Sequence, residues 1–282
     1  MNFQRIQKKY SSDSTLFQLI KLAFPVIAVS FMSMAYSFIN IFFVGKLGAD
    51  AVAAVGSASF YMNLSWGISA LLTVGAGIKV SHAIGEENLT LARSYVRSGI
   101  MAAILVAIVF YIIIAFASRH LIGFIRLNNP EIEHAAISYL IWIGVSIPFA
   151  FQNLFFTSVF IGSGDSRSPF RINAIAFGLN ILFDVIFIFP AGLGIHGAAI
   201  ATIISQVTAT ILFYRKLKRT NTLRPNDVPF QPDLLKKIIA LGISPTIQRV
   251  SFTIVAIIMA RIISNWGSTA IAVQKVGIQI EA

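Results

Sequence analysis

Asn180-Ile-Leu-Phe-Asp184-Val-Ile-Phe-Ile-Phe189 sets one carboxylate among eight apolar side chains. A charge at the centre of a bilayer costs about 2.5–3.5 kcal/mol on the insertion scale. Asp184 is the only carboxylate well inside any of the chain's long apolar segments. If that segment spans a membrane, stability does not explain the residue, and Asp184 becomes a candidate for ion coupling or substrate binding.

The surrounding chain makes the segment one of many. It has 282 residues, 56% hydrophobic and 12% charged, with a mean hydropathy of +0.79. A soluble domain carries about 25% charged residues. An apolar excess along the whole length implies a polytopic membrane protein. Cysteine is absent, so disulfides and Cys-ligated metals are excluded.

A membrane helix needs about 20 mostly apolar residues. Seven such spans are predicted: Leu16–Val44, Ala51–Ser81, Val96–Ala117, Ala135–Phe160, Ile172–Phe189, Ala198–Leu217 and Leu234–Ile263. An eighth begins near Thr269. The long continuous runs indicate helices, so the fold class is an all-α polytopic bundle. Gly, Ala, Ser and Thr are frequent in the spans, which suits close packing of helices in lipid. The first span is too long for a signal-peptide core and reads as retained.

The net charge of +11 raises nucleic acid as a partner, but its distribution argues against it. With a cytoplasmic N-terminus, the inside segments hold 15 Lys and Arg and the outside loops only Lys46, Arg119 and Arg126. This bias predicts an N-in, multi-pass protein of the cell membrane, with the lipid bilayer as its partner. Contact of the basic segments with anionic lipid is a secondary expectation.

The polar, Pro-rich segment 218–232 reads as a cytoplasmic linker. It divides a six-helix lobe, 1–217, from 233–282. After the linker the pattern restarts. Gly48-Ala-Asp-Ala51-Val-Ala53 closes the first hairpin and Gly267-Ser-Thr-Ala270-Ile-Ala272 the second, with Pro25 and Pro245 at matching points. Transporter folds are often built from such repeats. The expectation is therefore one six-helix lobe plus the opening of a second, incomplete at Ala282.

Five segments carry a resemblance. They are Phe42-Phe-Val44-Gly45-Lys-Leu47-Gly48-Ala-Asp-Ala51-Val-Ala-Ala-Val-Gly56, Gly75-Ala-Gly77-Ile-Lys-Val80-Ser81-His-Ala83-Ile-Gly85 and Gly162-Ser-Gly164-Asp165-Ser-Arg167-Ser-Pro169. The others are Gly197-Ala-Ala-Ile-Ala201-Thr202-Ile-Ile-Ser205-Gln206 and Leu241-Gly-Ile-Ser-Pro245 with Gln248. In this order and topology the chain resembles the multidrug and toxic-compound extrusion (MATE) family. The resemblance implies two six-helix lobes facing each other, exporting organic cations in exchange for Na+ or H+. It implies a cation site in the first lobe, with Asn180 and Asp184 of the fifth span, Thr202 of the sixth, and Tyr139 and Asn153 of the fourth. Members commonly have a carboxylate in the first span where this chain has Asn40, so the site keeps at most one carboxylate.

Asn180 and Asp184 are four apart and share a helix face. Sodium favours hard oxygen ligands, by analogy with other hard cations. A carboxylate with amide and hydroxyl neighbours supplies them, and a proton needs only Asp184. The alternative is a structural Asp hydrogen-bonded across helices, and Asn40, Thr202, Tyr139 and Asn153 are each open to a packing role. Pro25 and Pro148 lie inside predicted helices and promote kinks. Asp165 with Arg167 reads as a loop turn or surface pair. No Walker loop, Gly-x-Ser-x-Gly elbow or His-Glu-x-x-His motif is present, so no enzyme is expected. No cofactor is expected beyond the coupling ion, and no metal beyond Na+ at Asp184 and Asn180.

Three functions stay open at this level. One is cation-coupled export of organic cations. Another is a non-transporting fragment, or a half-transporter that needs a partner lobe or a second copy. The third is a lipid-linked oligosaccharide flippase of related fold, disfavoured because Arg249 and Lys275 are almost alone as basic residues deep in spans.

Overall fold

The computed structural model describes residues 15–127, 129–225 and 228–281. They form helices α1 (Thr15–Gly45), α2 (Ala49–Gly85), α3 (Leu89–Ile125), α4 (Pro130–Gly144), α5 (Ile147–Gly162), α6 (Arg167–Ile188), α7 (Gly194–Arg219), α8 (Pro232–Ile263) and α9 (Ser268–Glu281). A single 3-10 turn, Ser264–Trp266, joins the last two. Six of these helices are long and apolar enough to cross a membrane, and α4 with α5 supplies a seventh span. The protein is an all-helical, multi-pass membrane bundle. Its surface agrees: Phe116, Phe31 and Phe24 are 86%, 72% and 71% exposed, a lipid-facing pattern that water would penalise.

The fourth span, expected over Ala135–Phe160 with a kink at Pro148, is broken there into two helices. It bends by 49° between α4 and α5. Pro148 sits in the first turn of α5 and has no N–H to return to Gly144. The break is closed locally instead. Val145 and Ser146 donate backbone bonds only three residues back, and Ser146 Oγ donates to the Ile143 carbonyl at 2.6 Å. Pro25 behaves differently, since α1 remains helical on both sides of it.

Helix ends extend beyond the apolar runs because polar side chains hold them. Asn88 caps α3 by accepting the Leu91 N–H at 3.0 Å, which starts the helix seven residues before Val96. Asp165 caps α6, accepting from the Ser168 N–H at 3.0 Å and the Ser168 hydroxyl at 2.6 Å. Its ionic partner is Lys216 at 3.6 Å, not the neighbouring Arg167.

The two hairpin turns share a backbone shape. Gly48 has φ 108° and ψ 168°, and Gly267 has φ 95° and ψ 175°. Both angles lie where a Cβ would strain the chain. The sequence match between these turns is thus a match of conformation.

The segment after α7 is tied down rather than loose. Arg93 of α3 donates through Nε and Nη2 to the Asn221 carbonyl at 3.1 and 2.7 Å. Arg97 donates to the Pro225 carbonyl at 3.3 Å, and the Gln231 N–H donates to Ser98 Oγ at 3.1 Å. Leu223 is fully buried and belongs to the apolar cluster built by α2, α3 and α5 to α8. Two of the basic residues that mark topology are therefore also its anchors.

Candidate cation site

Four helices converge on Asp184. It lies one turn before the end of α6, about 6 Å along the axis from Ile188. It is therefore near one end of its helix, yet it is fully buried. The local sequence explains this. Asn180 and Asp184 occupy the face that α6 turns toward α7, while Leu182, Val185 and Ile186 point outward and are exposed.

Asn180 joins the cluster. With its NH2 toward Asp184 it donates to Asp184 Oδ2 at 2.7 Å and to the Tyr36 hydroxyl at 3.1 Å. Its carbonyl then faces Thr202 N and Oγ1 at 3.1 and 3.2 Å. The opposite orientation gives a bond from the NH2 to Thr202 Oγ1 at 3.2 Å but sets oxygen against oxygen at Asp184. We assign the first orientation because it satisfies every partner. The Thr202 hydroxyl is also within 3.0 Å of the Ala198 carbonyl, its alternative acceptor.

α1 closes the other side. Asn40 lies beside Asp184, and Tyr36 lies beside Asn40 and Thr202, with its hydroxyl accepting from the Asn180 amide at 3.1 Å. The Tyr36 ring stacks on Phe177 of α6 with centroids 5.2 Å apart. Tyr139 of α4 is buried and close enough to Tyr36 and Asp184 to interact electrostatically.

Of the residues singled out in the sequence, Asp184, Asn180, Thr202, Asn40 and Tyr139 come together. Asn153 does not join them. Its amide donates to the Gln206 carbonyl and to Gln206 Oε1 at 3.0 and 2.6 Å, and its oxygen accepts from Thr210 at 2.9 Å. Tyr139 on α4 and Asn153 on α5 are fourteen residues apart, about 21 Å along a helix, so they lie at different levels of the bundle. Tyr36 was missed by sequence reasoning. The available signal was its spacing, four residues before Asn40 on the same face.

The chemistry centres on one atom. Asp184 Oδ1 is buried and accepts no hydrogen bond among the described residues. A buried, half-bonded carboxylate is costly as an anion. A cation beside Oδ1, or a proton on it, removes that cost. The oxygens nearby belong to a carboxylate, the Asn40 amide, a hydroxyl and a phenol, a hard-oxygen set, while Asn180 turns its NH2 to the carboxylate.

Comparison with known proteins agrees with this architecture. The MatE family model matches residues 25–186, more than half of the chain. The chain belongs to the MatE family. The matched MatE region contains Tyr36, Asn40, Tyr139, Asn180 and Asp184. Among MatE relatives, the chain is 29% identical to the probable multidrug resistance protein NorM of Thermotoga maritima, over 94% of this chain and 58% of that protein. It is 24% identical to the multidrug export protein MepA of Staphylococcus aureus, over 94% and 60%. The chain thus spans about three-fifths of the length of these curated relatives.

Solved MatE-type structures share the fold. One described as the inward-facing conformation of a multidrug resistance MATE family transporter aligns with TM-score 0.80 and 23% identity, over 86% of this chain and 56% of that one. The outward-facing counterpart aligns with TM-score 0.79 and 22% identity, over 84% and 53%. The near-equal scores mean that the common fold is indifferent to which way those transporters face.

Proposed function

We propose that this chain provides the first lobe, residues 1–217, and the opening of the second lobe of a secondary exporter of amphipathic organic cations. It sits in the cell membrane with its N-terminus cytoplasmic. Export is driven by inward Na+ or H+ through alternating access. Asp184 holds the coupling ion, Asn180 orients the carboxylate, and Thr202, Asn40, Tyr36 and Tyr139 complete the shell. The unbonded, buried Oδ1 of Asp184 carries this reading. A cation on that atom changes how α1, α6 and α7 are held together. Coupling follows if the loaded and empty forms favour different conformations.

The test combines binding with transport. Purified wild-type chain should bind 22Na+ saturably, or take up one proton on acidification, and Asp184→Asn should do neither while remaining folded. In cells, ethidium efflux that needs a cation gradient should disappear in the same variant. Undiminished cation binding and efflux by Asp184→Asn would remove the assignment.

A further inference from the structure

Beyond the Asp184 shell, the contact between α6 and α7 stays polar toward the basic face of the protein. On α6, Asp184, Asn180 and Asn173 are four and seven residues apart and share one face. On α7, Thr202, Gln206 and Thr210 recur every four residues. They run toward the Lys216, Lys218 and Arg219 end of that helix. From Thr202 to Thr210 the axial rise is about 12 Å.

A cavity of about 30 Å³ lies between the two rows, lined on its polar side by Tyr36, Asn173, Asn180, Ser205 and Gln206 and on the other by Phe177 and two alanines. That is enough room for one water, and its walls offer more than the two to four polar partners a buried water needs. Tyr36 and Asn180 belong to the Asp184 cluster, and Gln206 belongs to the Asn153–Thr210 cluster. The cavity therefore lies between the two hydrogen-bond networks, with side chains of both in its wall. Below Thr210 the polarity stops. Phe213 stacks between Phe156 at 5.7 Å and Phe160 at 6.0 Å, and all three rings are fully buried.

We propose that α6 and α7 enclose a polar column that carries a small monovalent cation between Asp184 and the basic face, inside the lobe, with Phe156, Phe160 and Phe213 as its inner gate. This rests on the reading of Asp184 as the coupling carboxylate. A purely structural Asn153–Gln206–Thr210 triad accounts for its own hydrogen bonds. It gives no reason for a cavity whose wall Gln206 shares with Asn173, Asn180 and Tyr36.

The chain has no cysteine, so a single introduced thiol reports access. Ser205→Cys is nearly isosteric and lines the cavity. Ser57→Cys, fully buried in α2 and away from the column, is the control. The probe is Ag+, a monovalent ion close to Na+ in size, applied to the full chain in nanodiscs and read as protection from later alkylation. Ser205→Cys should react about tenfold faster than Ser57→Cys, and Phe213→Ala should raise that rate by about another tenfold. Phe213→Leu gives a second, milder opening if the alanine variant does not fold. Equal rates at the two cysteines, or a rate unmoved by either Phe213 change in folded protein, would overturn the column. Equal silver rates with 22Na+ binding still lost in Asp184→Asn would remove the column alone. Binding that survives in Asp184→Asn removes the underlying site, and the column's role with it.

Discussion

Gly75 of α2 and Gly242 of α8 are each pressed against the other helix's backbone. A Cβ on Gly75 would lie 1.9 Å from the Ile238 carbonyl oxygen, and one on Gly242 would lie 2.1 Å from the Leu71 oxygen. The two contacts are reciprocal, because 71 and 75 on one helix meet 238 and 242 on the other. In lipid, where no hydrophobic gain drives helices together, such close backbone approach is the main source of association.

Alanine at either glycine must therefore push the helices apart. Overpacking of this kind costs about 1–3 kcal/mol. Gly75→Ala and Gly242→Ala should each lower the unfolding temperature of the purified protein by several degrees. Gly178→Ala is the control, since nothing lies within 4 Å of a Cβ there. It should leave stability unchanged or raise it slightly. Equal melting of all three variants would show that the α2–α8 contact is not tight in the membrane.

Tyr36 separates two roles within one side chain. Its hydroxyl meets Asn180, and its ring stacks on Phe177. Tyr36→Phe keeps the stack and removes one hydrogen bond to the Asn180 amide, a loss of about 0.5–1.5 kcal/mol. Cation affinity should shift by up to about tenfold, with little change in thermal stability. Tyr36→Ala loses the ring as well and should lower both. If Tyr36→Phe leaves 22Na+ and proton titrations unchanged, the hydroxyl is outside the site.

Asn180→Leu is the stronger change. It removes the donor to Asp184 Oδ2 and the acceptor for Thr202 together. Hydrogen bonds to charged groups are worth about 1.5–3 kcal/mol. The cation concentration for half-maximal binding should therefore change by about tenfold or more. Thr202→Val should have a smaller effect, because the Thr202 hydroxyl has the Ala198 carbonyl as an alternative partner. A larger effect at Thr202 than at Asn180 would reverse the assigned roles.

Much of the architecture was legible in the sequence because membrane spans depend on length and hydropathy, which a sequence carries directly. The turn at Gly267 was legible because it needs the same backbone shape as Gly48. The site was partly legible. Asp184 and Asn180 stood out because a polar pair four apart is conspicuous in an apolar run. Tyr36 did not, since a tyrosine in a membrane helix is ordinary until its partners are known. The separation of Asn153 from Tyr139 follows from their spacing, since fourteen helical residues rise about 21 Å. Pro148 pointed to the 49° bend between α4 and α5 but could not give its direction. The anchoring of segment 218–232 was hidden because it uses backbone carbonyls, which leave no trace in residue identity.

That anchoring leads to the last prediction. Arg93 makes a two-pronged contact with the Asn221 carbonyl, and Arg97 holds that of Pro225. The segment they hold begins with the trypsin sites Lys218 and Arg219, whereas Arg224 precedes Pro225 and is not cleaved. Cleavage requires local opening, whose rate follows the free energy of that opening. Removing both arginines deletes three side-chain bonds to carbonyls. At about 1 kcal/mol net each, tryptic cleavage of Arg93→Ala/Arg97→Ala should accelerate by about tenfold or more. Cleavage at exposed sites elsewhere should not change, and Arg93→Lys should restore part of the protection because a lysine supplies one prong of two. Unchanged nicking in the double variant would mean that buried Leu223, rather than the arginine contacts, fixes the segment.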